Sequence, residues 1–107
     1  MRELLIVETR DAAEHRGPER MVELAAGMVR VGVPATIFLT ENAAFAARHR
    51  PDGLAASAIA AGVAVAVDRF ALHERAIGET ELESGVEPSS IDIVVEHLAV
   101  GNCVMWR

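Results

Sequence analysis

The chain has 107 residues, 51% of them hydrophobic, with 16 acidic residues against 10 basic ones and a formal net charge of −6. That is sequence for a single domain, residues 1–107, with enough apolar side chains for one core. The negative charge excludes a general nucleic-acid binder, which needs a basic face for phosphates, and argues against docking on anionic membranes.

Residues 3–7 read as a first strand. With one arginine before a very short apolar core, this start is expected to be a strand and not a signal peptide. No apolar stretch reaches the ~20 residues of a membrane span, and a cytoplasmic protein is the natural expectation. A charged loop follows over residues 8–17, longer than the roughly 2–6 residues usual between a strand and a helix. Pro18 suits a first helical turn. Met21, Leu24, Ala25, Met28 and Val29 then repeat at helical spacing, which predicts one buried stripe. Gly32 ends that helix and residues 33–39 form a second strand.

Thr40 or Asn42 is placed to cap a short helix reaching Ala47. After a break at residues 48–53, an alanine-rich helix is expected over 54–61, and Gly62 ends it. Residues 63–67 form an unbroken apolar third strand, the signature of a strand buried on both faces of a parallel sheet. A third helix spans 69–77. An acidic segment then holds a short strand candidate around Val86. Ser89 or Ser90 caps a last helix in which Ile91, Val94, Val95, Leu98 and Ala99 repeat the amphipathic spacing. Gly101 ends it before a closing strand over 102–106. Gly32, Gly62, Gly85 and Gly101 each precede a strand and suit the left-handed turn that ends a helix. The pattern predicts a three-layer α/β/α sandwich around a mainly parallel sheet of about five strands.

Asp68 stands where the third strand opens into the next helix. A carboxylate there either caps the helix or faces a ligand beyond the carboxyl ends of the strands, and the two roles are compatible. The long first loop is expected to overhang the same mouth, so Glu8, Thr9 and His15 join Asp68 as candidate ligand contacts. Thr40, Asn42 and Arg69 complete the set. No catalytic residue is assigned. No glycine-rich phosphate motif is present, and His15, His49, His73 and His97 are scattered, so neither a cofactor nor a metal is expected. Cys103 is the one cysteine, which excludes an intramolecular disulfide. Near the amino end of the last strand it is expected to be buried as a small hydrophobe, away from the mouth.

Three stretches carry a family resemblance: the charged loop after the first strand, the turn and strand over 30–40, and the Ala61-Gly62-Val63-Ala64-Val65-Ala66-Val67-Asp68 unit. Together with a closing strand that holds Trp106, they resemble the DsrE/DsrF-like sulfur-relay family. The resemblance implies a flavodoxin-like, oligomeric, cytoplasmic domain, some of whose members carry sulfur as a cysteine persulfide. The sulfur-carrying cysteine stands at the position of Asp68, and a carboxylate cannot replace it, because persulfide transfer needs a thiolate. The expected function is therefore a binding or accessory protein of this type. Two alternatives are sulfur relay through Cys103 and a small hydrolase or lyase with Asp68 as acid or base. The uncharged helix at 55–61, Val86 and the apolar end Val104-Met105-Trp106 point to a homo-oligomer, a trimer first and a dimer second. A small-molecule ligand or a sulfur-relay protein would be its other partner.

Overall fold

Short aliphatic runs, each following a glycine-ended turn, pair into one parallel sheet. The structure is a computed structural model and describes residues 2–107. In chain order it comprises β1 (Leu4–Glu8), α1 (Gly17–Arg30), β2 (Ala35–Leu39), a 3₁₀ segment (Glu41–Ala47), α2 (Leu54–Ala60), β3 (Ala64–Asp68), α3 (Arg69–Glu74), a short 3₁₀ turn (Glu79–Glu81), β4 (Glu87–Ser89), α4 (Asp92–Ala99) and β5 (Cys103–Trp106). The strand order is β4-β3-β2-β1-β5, and every neighbouring pair is parallel. The sheet is the parallel α/β architecture that the sequence predicts.

The glycine turns explain why the rhythm is so regular. Gly32, Gly62 and Gly101 have φ of 90°, 86° and 81°, the left-handed region that only glycine enters without strain. The next amide donates back into the helix each time: Val33 to the Met28 carbonyl at 2.9 Å, Val63 to Ala58 at 3.0 Å and Asn102 to His97 at 3.0 Å. Carbonyls that a helix end would leave bare are satisfied in this way, and the chain turns directly into the next strand.

Alternation along the strands divides the core in two. Leu4, Ile6, Ile37, Leu39, Val65 and Val67 face the layer that holds α1, α2, α3 and the 3₁₀ segment. Leu5, Val7, Phe38 and Ala66 face the other layer, where they pack with Val94 of α4. From β1 to β4 the sheet grows in one direction. The chain then crosses the opposite face through α4 and adds β5 on the far side of β1. The order therefore reverses between β1 and β5.

Several expectations need correction. Leu24 is exposed, and α1 instead buries Pro18, Val22, Ala25 and Ala26. Residues 41–47 form a 3₁₀ segment, with no capping bond from Thr40, whose hydroxyl is engaged elsewhere. α3 stops at Glu74, and Ala76 adopts φ of 53° on the way out. Of the stripe read in the last helix, Val94 is buried while Ile91, Val95, Leu98 and Ala99 are exposed. Cys103 is also exposed, because it begins an edge strand, in register with Leu4 and so on the face away from α4.

Candidate functional site

The buried polar and charged residues among those described are Glu8, Thr40 and Asp68. All three stand at the carboxyl ends of neighbouring strands, at the end of the sheet where open parallel folds place their ligands. Burial of such groups is tolerated only when each is hydrogen-bonded, and each is. Glu8 is 1% exposed. Its Oε2 accepts from the amides of Thr9 and Arg10, both at 3.0 Å, and from Arg10 Nε at 3.1 Å. Its Oε1 accepts from Arg10 Nη2 at 3.2 Å. The hydrogen bonding to Glu8 raises the pKa of Arg10 above its ordinary value, against an opposing effect of burial and with help from the Glu8 charge. Space for the guanidinium comes from Gly17, where an added Cβ would overlap it.

The network continues across the sheet. The Thr40 amide donates to the Glu8 carbonyl at 3.0 Å, and Thr40 Oγ1 donates to Asp68 Oδ2 at 2.8 Å. Asp68 Oδ1 accepts from the Phe70 amide at 3.1 Å and so caps α3. Capping orients the carboxylate, and the Thr40 hydroxyl takes its other oxygen. No buried side-chain nitrogen or oxygen among the described residues lacks a partner.

The remaining candidates lie around this network, each with its own partner. Both the amide and the hydroxyl of Thr9 donate to the Arg107 carbonyl, at 3.0 Å and 2.7 Å. Those bonds stitch β1 to the end of β5 at the point where the strand order reverses, the usual place for a ligand crevice. Asn42 is exposed and accepts from Arg75 Nη2 at 3.0 Å and Nε at 3.3 Å. Arg69 pairs at 3.7 Å with Glu79 on the surface. His15 lies on the exposed first loop, beside a shallow depression next to Ala12, Arg16 and Glu19 that none of Glu8, Thr40 and Asp68 lines. The structure therefore joins Glu8, Thr40 and Asp68 in one network and leaves His15 outside it.

Chemically, the mouth holds two carboxylates that differ in spare acceptor capacity: Glu8 Oε2 accepts three hydrogen bonds within the protein, whereas each Asp68 oxygen accepts one. A general base needs a lone pair directed at substrate. Sequence reading did not identify Arg10 as the partner of Glu8, nor Arg75 as the partner of Asn42. It also passed over Phe45, whose ring has the guanidinium carbons of Arg48 and Arg75 at 5.4 Å and 5.9 Å from its centroid. The spacing of Phe45 and Arg48, three residues apart, was the available signal for the first of these contacts.

The fold defines a class, the open five-stranded parallel α/β domain with its reversal between β1 and β5. Within that class the chain is similar over 100% of both chains to the ychN protein from E. coli, with a TM-score of 0.85 and 18% identity. It is also similar to two proteins of unknown function. MTH1491 from Methanobacterium thermoautotrophicum matches with a TM-score of 0.70 and 15% identity, over 99% of this chain and 98% of that one. BT1422 from Bacteroides thetaiotaomicron matches with a TM-score of 0.72 and 15% identity, over 98% and 94%. No family pattern and no curated protein matches the sequence. The likeness is one of fold.

Proposed function

We propose that the protein is a binding or accessory member of the DsrE-like group that does not itself carry sulfur. The observation that supports this reading most is the carboxylate of Asp68 itself, which the fold holds by one hydrogen bond to each oxygen. At the position where the resemblance implies a persulfide cysteine, a carboxylate binds the Thr40 hydroxyl and the Phe70 amide. It has no thiolate chemistry, and its oxygens, each oriented by one bond to the fold, keep further lone pairs. The ligand-facing set in this reading is Glu8, Thr9, Thr40, Asn42, Asp68 and Arg69, with His15 at its margin. The test is incubation with a cysteine desulfurase and free cysteine, followed by intact-protein mass measurement and by transfer to an acceptor thiol. The expected result is no persulfide that moves onward. Onward transfer that is lost in Cys103→Ser would establish the second reading, relay through Cys103, which the exposure of that thiol favours.

Assembly belongs to the same reading. α4 turns Val95 and Leu98 outward, 62% and 59% exposed, beside Ile91, and Trp106 on the same side of β5 is 58% exposed. Large apolar side chains left in solvent at helical spacing are what an interface with another chain would cover. A second copy of the chain, related by a rotation axis that returns the same stripe, would cover it. We therefore propose a homo-oligomer, a trimer before a dimer, whose contact is α4. The uncharged α2 supports it less, because Ala55 and Ala58 are already buried within the domain.

A further inference from the structure

Away from the sheet mouth, a groove of about 690 Å³ lies between the amino-terminal half of α1 and the link from the 3₁₀ segment to α2. Its size is within the range of pockets that take small molecules. None of Glu8, Thr40 and Asp68 lines it. The two walls converge at the far end of α1, where a Cβ added to Gly62 would come within 3.2 Å of Val29 Cγ1. They open toward the start of the helix.

The walls carry opposite charge. Glu19 and Glu23 line one side, one helical turn apart, where like charges repel. Arg48 and Arg50 line the other, beside a single carboxylate, Asp52, which holds a left-handed φ of 54°. Among the described residues neither glutamate pairs with a cation and neither arginine pairs with a carboxylate. The groove keeps the two sets apart. Its apolar lining includes Val22, Phe45 and Leu54.

The walls are also fixed in place. Residue 48 bridges antiparallel to Leu82, the His49 amide donates to the Glu81 carbonyl at 2.8 Å, and the Glu83 amide donates to the Ala47 carbonyl at 2.9 Å. Arg48 Nε donates to the Phe45 carbonyl at 3.2 Å, and its guanidinium lies over the Phe45 ring. A preformed groove spends little of its binding free energy on ordering.

We propose that this groove binds a zwitterion whose ammonium meets Glu19 and Glu23, whose carboxylate meets Arg48 and Arg50, and whose side chains between them are apolar: a short free peptide. Such a ligand bridges the two unpaired sets and covers Val22, Phe45 and Leu54. Neither half of that recognition depends on the sheet mouth or on the sulfur question.

The test is an amide-resolved NMR titration of the full chain with trileucine, its N-acetyl form, its C-terminal amide and free leucine. Trileucine is expected to give saturable shifts at Val22, Phe45, Ala46 and Leu54. Capping either end is expected to weaken binding about fivefold, the effect of one partly exposed charge pair. The acetyl penalty shrinks in the Glu19→Gln, Glu23→Gln double variant, and the amide penalty shrinks in Arg50→Gln. These residues are exposed, so the substitutions leave the fold intact. Free leucine, whose ammonium and carboxylate share one carbon and cannot reach both walls, is expected to bind far more weakly, and leucine binding as tightly as trileucine would overturn the proposal. Absence of saturable shifts, capped forms that bind equally well, or penalties unchanged in the variants would each overturn it.

Discussion

Thr40 Oγ1 donates to Asp68 Oδ2 at 2.8 Å, joining the ends of two neighbouring strands, and both residues are buried. This bond settles what two side chains do at once. Thr40 leaves the 3₁₀ segment after it uncapped, and Asp68 uses one oxygen for the sheet and the other for α3. Thr40→Val keeps the shape and removes the donor. A buried carboxylate oxygen left unsatisfied costs about 1–3 kcal/mol, and urea denaturation is expected to show a loss of that size. Thr40→Ser restores most of it.

Asp68→Asn separates charge from hydrogen bonding. Its amide oxygen still caps α3, and the Thr40 hydroxyl can rotate to accept from the amide nitrogen. The expected loss is below about 1 kcal/mol, whereas Asp68→Ala loses both bonds and about 2–3 kcal/mol. Equal losses in the two variants would show that the negative charge, and not the bonding pattern, is what the site requires.

Arg10 and Glu8 form a pair that should not be broken from one side. Arg10→Met leaves Glu8 ionised, buried and held by backbone amides alone, and is expected to cost about 3 kcal/mol. The double variant Glu8→Gln, Arg10→Met should recover part of that loss in the same denaturation measurement. The folded pKa of Arg10 lies above its ordinary value. Its contribution is therefore fully present below the unfolded value and is lost only as pH rises through the folded one. Between about pH 6 and pH 9 the effect of Arg10→Met is expected to be flat on the arginine side of the pair.

Gly17→Ala tests the space around the same pair. In a helix, alanine is favoured over glycine by up to about 1 kcal/mol. Here the new Cβ overlaps the Arg10 guanidinium, which must then shift against the buried Glu8 it is bonded to. Destabilisation is expected in the natural background, and neutrality or a gain in the Arg10→Met background. Additive effects in this cycle would show that Gly17 is not shaped around Arg10.

Leu98→Glu and Val95→Lys place charge on the outward stripe of α4. Sedimentation equilibrium of the natural chain at micromolar concentration is expected to give a multiple of the single-chain mass, and either variant the single-chain mass. Denaturation midpoints at high dilution should hardly move, because neither side chain contributes to the monomer core. A natural chain that stays monomeric across the dilution series would refute the assembly.

The strands, the parallel sheet and the glycine turns are legible in the residues alone. Hydrophobic periodicity and the conformational freedom of Gly32, Gly62 and Gly101 are local properties that no distant contact overrides. The position of Asp68 at a strand end is legible in the same way. Which groups meet is visible only in the folded chain: that Thr40 reaches Asp68, that Arg10 folds back onto Glu8, and that Thr9 is tied to Arg107. The Thr40 and Thr9 contacts span 28 and 98 residues of chain and depend on a strand register that side-chain pattern does not encode, while the Arg10 contact, two residues apart, depends on how the loop turns back over the sheet. The same limit explains α4 and Cys103. Amphipathic spacing shows that a helix has an apolar stripe and not that a partner lies beneath it. The order β4-β3-β2-β1-β5 puts β5 at an edge, so Ile91, Val95, Leu98 and Cys103 meet solvent where the sequence alone predicts burial.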